Sequence, residues 1–152
     1  MKYRLIAGCF LVAFILALTA CGSNTASSTT APAQSTPSGP QNVQVTITDT
    51  SMMSSLSTFV PGMPYHFVVT NSGQVPYVFM MAPMGMSMGH MSIDQMHHAA
   101  LYMYDQVAPG ETKAFDYTFP QSAAGNHFQF TCFPLGHVEM GMQFPFMVNA
   151  HQ

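Results

Sequence analysis

Three side chains able to bind a soft metal recur at a spacing of five near the end of the chain: Cys132, His137 and Met142, in the stretch TCFPLGHVEMGM. Thiolate and imidazole are strong ligands for copper, and a long axial thioether favours Cu(I) and raises the potential. A near-trigonal set of this kind suits both oxidation states, so little has to move when an electron passes. Zinc asks for four strong ligands, and methionine is a poor one for it. Met140 offers the same thioether two residues early. Alone, Cys132 would read as a buried inert thiol, a common state of cysteine; the company of His137 and Met142 turns it into a metal ligand.

The other cysteines lie where no fold is expected. Lys2 and Arg4 precede the apolar run LIAGCFLVAFILAL, and LTAC follows at Leu18–Cys21. A basic start and an apolar run too short to span a bilayer describe an export signal. LTAC resembles the bacterial lipobox, in which the cysteine is lipidated and becomes the mature N-terminus. The expected organisation is a signal peptide over 1–20, a lipidated Cys21 with a flexible Ser/Thr/Pro tether over 21–41, and one domain over 42–152. Cys132 is then the domain's single cysteine, without an intramolecular disulfide partner, in a compartment that oxidises exposed thiols. The expected location is extracytoplasmic, in a periplasm or at a cell surface, tethered to the membrane by lipid. Without Lys2 and Arg4, Lys113 faces Asp49, Asp94, Asp105, Glu111, Asp116 and Glu139, one positive against six negative, or −5 with histidines neutral. No basic patch is available for nucleic acid.

The ligands need elements to position them, and from Asn42 onward the hydrophobic period is two. Val43, Val45 and Ile47 share one parity, as do Tyr65, Phe67 and Val69; Phe115, Tyr117 and Phe119; Phe128, Phe130 and Cys132; and Phe144, Phe146 and Val148. PGMP, NSG, APGET and SAAGN mark turns between them. Short alternating strands at regular spacing predict an all-β protein, an antiparallel Greek-key sandwich or barrel. Cys132 points inward at the sandwich rim, and the loop carrying His137 and Met142 turns back into the last strand. His66 and His127 take the outward parity and read as surface residues.

C-x4-H-x4-M in the last loop of a β-sandwich resembles the cupredoxins, the blue-copper proteins. CFPLGHVEMGM is similar to the C-x-x-P-G-H-x-x-x-G-M loop of small plastocyanin-like domains, with Leu135 as the neighbour of Gly136. VAPGETKAFDYTF and VVTNSGQVPYVFMM resemble the strands before it. The resemblance covers residues 42–150 and implies one copper ion, cycling between Cu(I) and Cu(II), held by Cys132, His137 and Met142. The family's first histidine falls where this chain has Tyr77, whose phenol, with a pKa of about 10, is a reluctant ligand. Three readings follow: His90, His97 or His98 supplies the further ligand; the site is three-coordinate and favours Cu(I); or Tyr77 marks a site that no longer cycles. The first is preferred, because the stretch that supplies those histidines is so unlike ordinary loop filler.

That stretch, PMGMSMGHMSIDQMHH, does not alternate and reads as a loop with a short helix near Ile93–Ala100. Of 15 methionines in the chain, eight lie between Met80 and Met103. Such a tract resembles extracytoplasmic Cu(I)-binding segments, although methionine is also an adaptable core filler. The leading expectation is a non-enzymatic, lipid-anchored electron-transfer protein with a redox partner protein. The alternative is a Cu(I) carrier or buffer with copper donors and acceptors for partners. A nitrite reductase or multicopper oxidase would need further copper centres than seven histidines in one domain supply. A metal-free adhesion sandwich would keep its fold and function after chelation.

Overall fold

The computed structural model describes residues 39–86 and 88–149. The signal peptide expected over 1–20, the lipidation site Cys21 and the expected tether as far as residue 38 lie outside the described residues, while Gln41, the last residue of that expected tether, already opens the first strand. Among the described residues nine strands and one α-helix follow in the order β1 (Gln41–Ile47), β2 (Met52–Ser54), β3 (Thr58–Phe59), β4 (Pro64–Asn71), β5 (Tyr77–Pro83), α1 (Ile93–Ala99), β6 (Tyr102–Val107), β7 (Thr112–Thr118), β8 (His127–Pro134) and β9 (Met142–Val148), with short 3-10 turns at Gln121–Ala123 and Val138–Met140.

They form two sheets, one of order β2-β1-β4-β7 and one of order β3-β9-β8-β5-β6. The inward parity predicted from the sequence packs between them: Val43, Val45 and Ile47 against Tyr65, Phe67 and Val69 from one side, and Phe128, Phe130, Cys132, Phe146 and Val148 from the other. The core is aromatic. Phe59 meets Tyr65 edge-on at 5.0 Å between ring centroids, and Phe130 meets Phe146 at 4.5 Å. Such pairs add about 0.5–1.5 kcal/mol each beyond their buried area.

The sheets are not purely antiparallel. β1 pairs with β4 in parallel, as β3 does with β9. Alternation reports which face of a strand is buried and is blind to the direction of its neighbour, so the expectation of an antiparallel sandwich is corrected to a mixed one. The turn between β6 and β7 carries the chain from one sheet to the other. Its Pro109-Gly110 pair has the second residue at φ 75°, closed by the Glu111 N–H donating to Ala108 O at 2.9 Å. Glycine reaches that left-handed region without steric cost.

β5 departs from alternation because it is buried on both faces from Tyr77 to Ala82. Tyr77, Phe79 and Met81 face the main core, while Val78, Met80 and Ala82 face a second cluster on the outside of the five-stranded sheet. What covers that outer face is the methionine-rich loop with α1, whose Met88 and Met96 are buried against it. The helix starts where Ser92 caps it: the Ser92 hydroxyl accepts from the Gln95 N–H, and the Gln95 side chain accepts from the Ser92 N–H. This reciprocal capping box satisfies two donors that the first turn leaves open.

Candidate metal centre

Cys132 and Met142 stand directly opposite each other on β8 and β9, the last rung of that antiparallel ladder before the loop that holds His137. Cys132 is fully buried in the main core, and Met142 is half-buried against it. The Met142 backbone N–H donates to the Cys132 sulfur, which favours a thiolate. Burial wins over this single donor and pushes the thiol from 9.0 up to about 12.

The connecting loop is built by a turn. The His137 N–H donates to Pro134 O at 2.9 Å, around Gly136 at φ 85°. A Cβ there would strain the backbone, so Gly136 sets where His137 enters the short 3-10 helix Val138–Met140. The loop is fastened to the strand before it by the Leu135 N–H, which donates to Pro76 O at 3.2 Å. His137 is exposed beside that fastening. Cys132, His137 and Met142 thus lie on one hairpin, the thiol inward and the imidazole outward. Met140 is 53% exposed and belongs to neither core cluster, so of the two thioethers Met142 stands closer to the buried thiol.

Tyr77 sits on the same inner face, two residues before Phe79, which pairs with Cys132. Its hydroxyl donates to the Asp49 carboxylate at 3.4 Å. Burial first, then the charge and hydrogen bond of Asp49, then the nearby Cys132 sulfur, raise its pKa. Each cause keeps the phenol protonated. The approach to Tyr77 is held by Asn71, whose amide donates to Val75 O at 2.8 Å and Val107 O at 2.9 Å, while its carbonyl accepts from the Gly73 N–H at 2.8 Å.

The fold of these two sheets recurs in solved structures. Auracyanin from the photosynthetic bacterium Roseiflexus castenholzii superposes with a TM-score of 0.53 at 13% identity, over 72% of this chain and 98% of that one. Auracyanin B gives 0.54 at 16%, over 72% and 88%. This is the cupredoxin fold. The McoA multicopper oxidase of the hyperthermophile Aquifex aeolicus also matches, with a TM-score of 0.51 at 15% identity over 74% of this chain, but the chain spans 30% of that enzyme. No protein-family model and no curated protein matches the sequence.

Within the cupredoxin frame the candidate further ligands are dispersed. The loop that carries His90, His97 and His98 packs on the outer face of the five-stranded sheet, opposite the face that holds Cys132. His97 pairs with Asp105 of β6 at 2.5 Å, and His90 and His98 are exposed. Among the described residues no three His, Cys, Asp or Glu side chains cluster as a metal site. The set at the hairpin is therefore one thiol, one imidazole and one thioether, a composition that fits a soft ion better than zinc. The outward His66 and His127 are placed as their parity predicts, and His66 pairs with Asp116 at 2.6 Å. Phe133 follows the inward Cys132 on its strand, so it takes the opposite face and is buried in the outer cluster.

Proposed function

We propose that this chain is an extracytoplasmic copper-binding protein that passes one electron at a time through a single mononuclear copper. Cys132, His137 and Met142 are its main ligands. The observation that carries this reading is the Cys132–Met142 rung. It places a buried thiol, already accepting one backbone hydrogen bond, against a thioether at the mouth of a cupredoxin-fold hairpin. Bound copper supplies the one-electron couple. The chain's own residues orient the sulfur, exclude water from it, and leave His137 at the surface with the exposed Leu135 beside it, where a redox partner protein would dock. Catalysis is no part of this reading. Lipidation at Cys21 would keep the domain at the membrane.

Tyr77 favours a second reading, a Cu(I) carrier or buffer that does not cycle. A protonated phenol engaged with Asp49 leaves one imidazole at the hairpin, and Cu(I) is satisfied by a thiolate, one imidazole and a thioether. Copper titration of the full-length chain, followed by visible absorption and electron paramagnetic resonance, separates the two. An intense thiolate-to-Cu(II) band with narrow hyperfine splitting supports electron transfer. Tight Cu(I) binding without that band supports the carrier, and failure to bind either ion removes both.

A further inference from the structure

The outer face of the five-stranded sheet carries a second feature. Its cluster is built differently from the main core. Among the described residues, three of its six buried members are methionine, Met80, Met88 and Met96, against two of twenty in the main core. Met86, Met91 and Met103 pack against them, half-buried, so six methionine side chains belong to the cluster where the loop covers β5 and β8. No leucine is among them. For a purely structural cover, leucine has better-defined rotamers and specifies packing better than methionine, which is flexible.

A second, independent observation lies in the floor of the same cluster. Thr131 stands opposite Met80 across the β5–β8 ladder and shares its outward face. The residue is fully buried, and its hydroxyl has no hydrogen-bond partner. Leaving such a group buried and unpaired costs about 1–3 kcal/mol, so the Thr131 hydroxyl calls for a partner that the described residues do not supply.

From this we infer that the methionine-rich loop and the outer face of β5 and β8 form a second site for a soft monovalent cation, Cu(I) by chemical class, bound through Met80, Met88 and Met96 with the Thr131 oxygen in its floor. Thioethers stay neutral at every pH and are soft, so they hold such an ion without displacing a proton and release it readily. The site lies across the sheet from Cys132 and needs neither that thiol nor His137.

The test uses the full-length chain carrying Cys132→Ala with Cys9→Ala and Cys21→Ala, so that no thiol competes with the thioethers and this site and the hairpin site can fail separately. Ag(I) serves as a redox-silent probe, followed by the methyl resonances of 13C-labelled methionine, and Cu(I) affinity is read by competition with a chromogenic chelator. Resonances of Met80, Met88 and Met96 are expected to move together and saturate at about one ion per chain. Adding Met80→Leu, Met88→Leu and Met96→Leu nearly conserves volume, so the chain should melt as before while its affinity falls at least about tenfold. A leucine chain that melts normally and binds both ions as tightly would overturn the site. So would an Ag(I) response confined to the exposed Met53, Met84 and Met140. Should the leucine chain fail to fold, the methyl resonances of the Cys132→Ala chain decide the question alone.

Discussion

Cys132 and Met142 face each other across the β8–β9 ladder, and the Met142 N–H donates to the Cys132 sulfur. One rung therefore places a candidate ligand, its candidate axial partner and a hydrogen bond that orients the thiol. Cys132→Ala should abolish copper binding at the hairpin while the fold survives, at a cost of about 1 kcal/mol for the small void it leaves. Chelator competition reads the first effect and urea denaturation the second.

The same thiol makes metal-free stability depend on pH. Its folded pKa of about 12 lies above the ordinary 9.0, so unfolding releases its proton more readily than the folded state does. The contribution is present in full below about pH 9 and is lost as pH rises toward about 12. Urea midpoints of the chelated chain should fall more steeply between pH 8.5 and 10.5 than those of Cys132→Ala, which shares every tyrosine that titrates in that window; parallel slopes would refute it.

Tyr77→His places an imidazole on the inner face, two residues before the partner of Cys132. If Tyr77 is what withholds a second strong ligand, this variant should develop an intense thiolate-to-Cu(II) absorption stronger than the parent's. Tyr77→Phe should leave copper binding unchanged and cost less than about 1 kcal/mol, since it removes one 3.4 Å hydrogen bond. Absorption spectra of the three chains side by side provide the comparison.

Asn71→Ala should destabilise the chain by about 2–3 kcal/mol, because Val75 O, Val107 O and the Gly73 N–H each lose a buried partner. Gly73→Ala should act in the same direction. A Cβ there would lie 2.5 Å from the Asp49 carboxylate and 3.2 Å from the Tyr77 ring, so the loop must shift and Tyr77 with it. Thermal melts give the stability loss, and a change in the copper spectrum of Gly73→Ala reports the displacement.

Much of this architecture is legible in the sequence, and the illegible parts have physical causes. Alternation placed Val43, Tyr65, Phe130 and Cys132 on the inner face because each belongs to a strand with one face in the core. The same logic does not resolve YVFMMA, where both faces of β5 are buried and the pattern becomes a continuous apolar run. Strands β2 and β3 are too short to show a period. The helix was expected from the end of the loop, and S-x-x-Q at Ser92–Gln95 is the capping signal that marks its start. The loop's placement over the outer face was not legible, since methionines spaced among Gly and Ser have the period of neither strand nor helix. The candidate hairpin ligands stand out as a set because all three fall within eleven residues; whether a distant histidine completes them depends on tertiary placement, which spacing cannot encode.

That short span has a consequence for how the molecule assembles. Cys132, His137 and Met142 are carried on one hairpin as soon as β8 and β9 pair, whereas the β3–β9 pairing must join Thr58 to Met147. Closing a short loop is entropically cheaper and faster than closing one that spans most of the chain. The candidate ligand triplet is thus a local unit inside a fold of long-range contacts. An ion captured there during folding would pin β8 to β9 and hand the later, slower pairings a prefabricated edge.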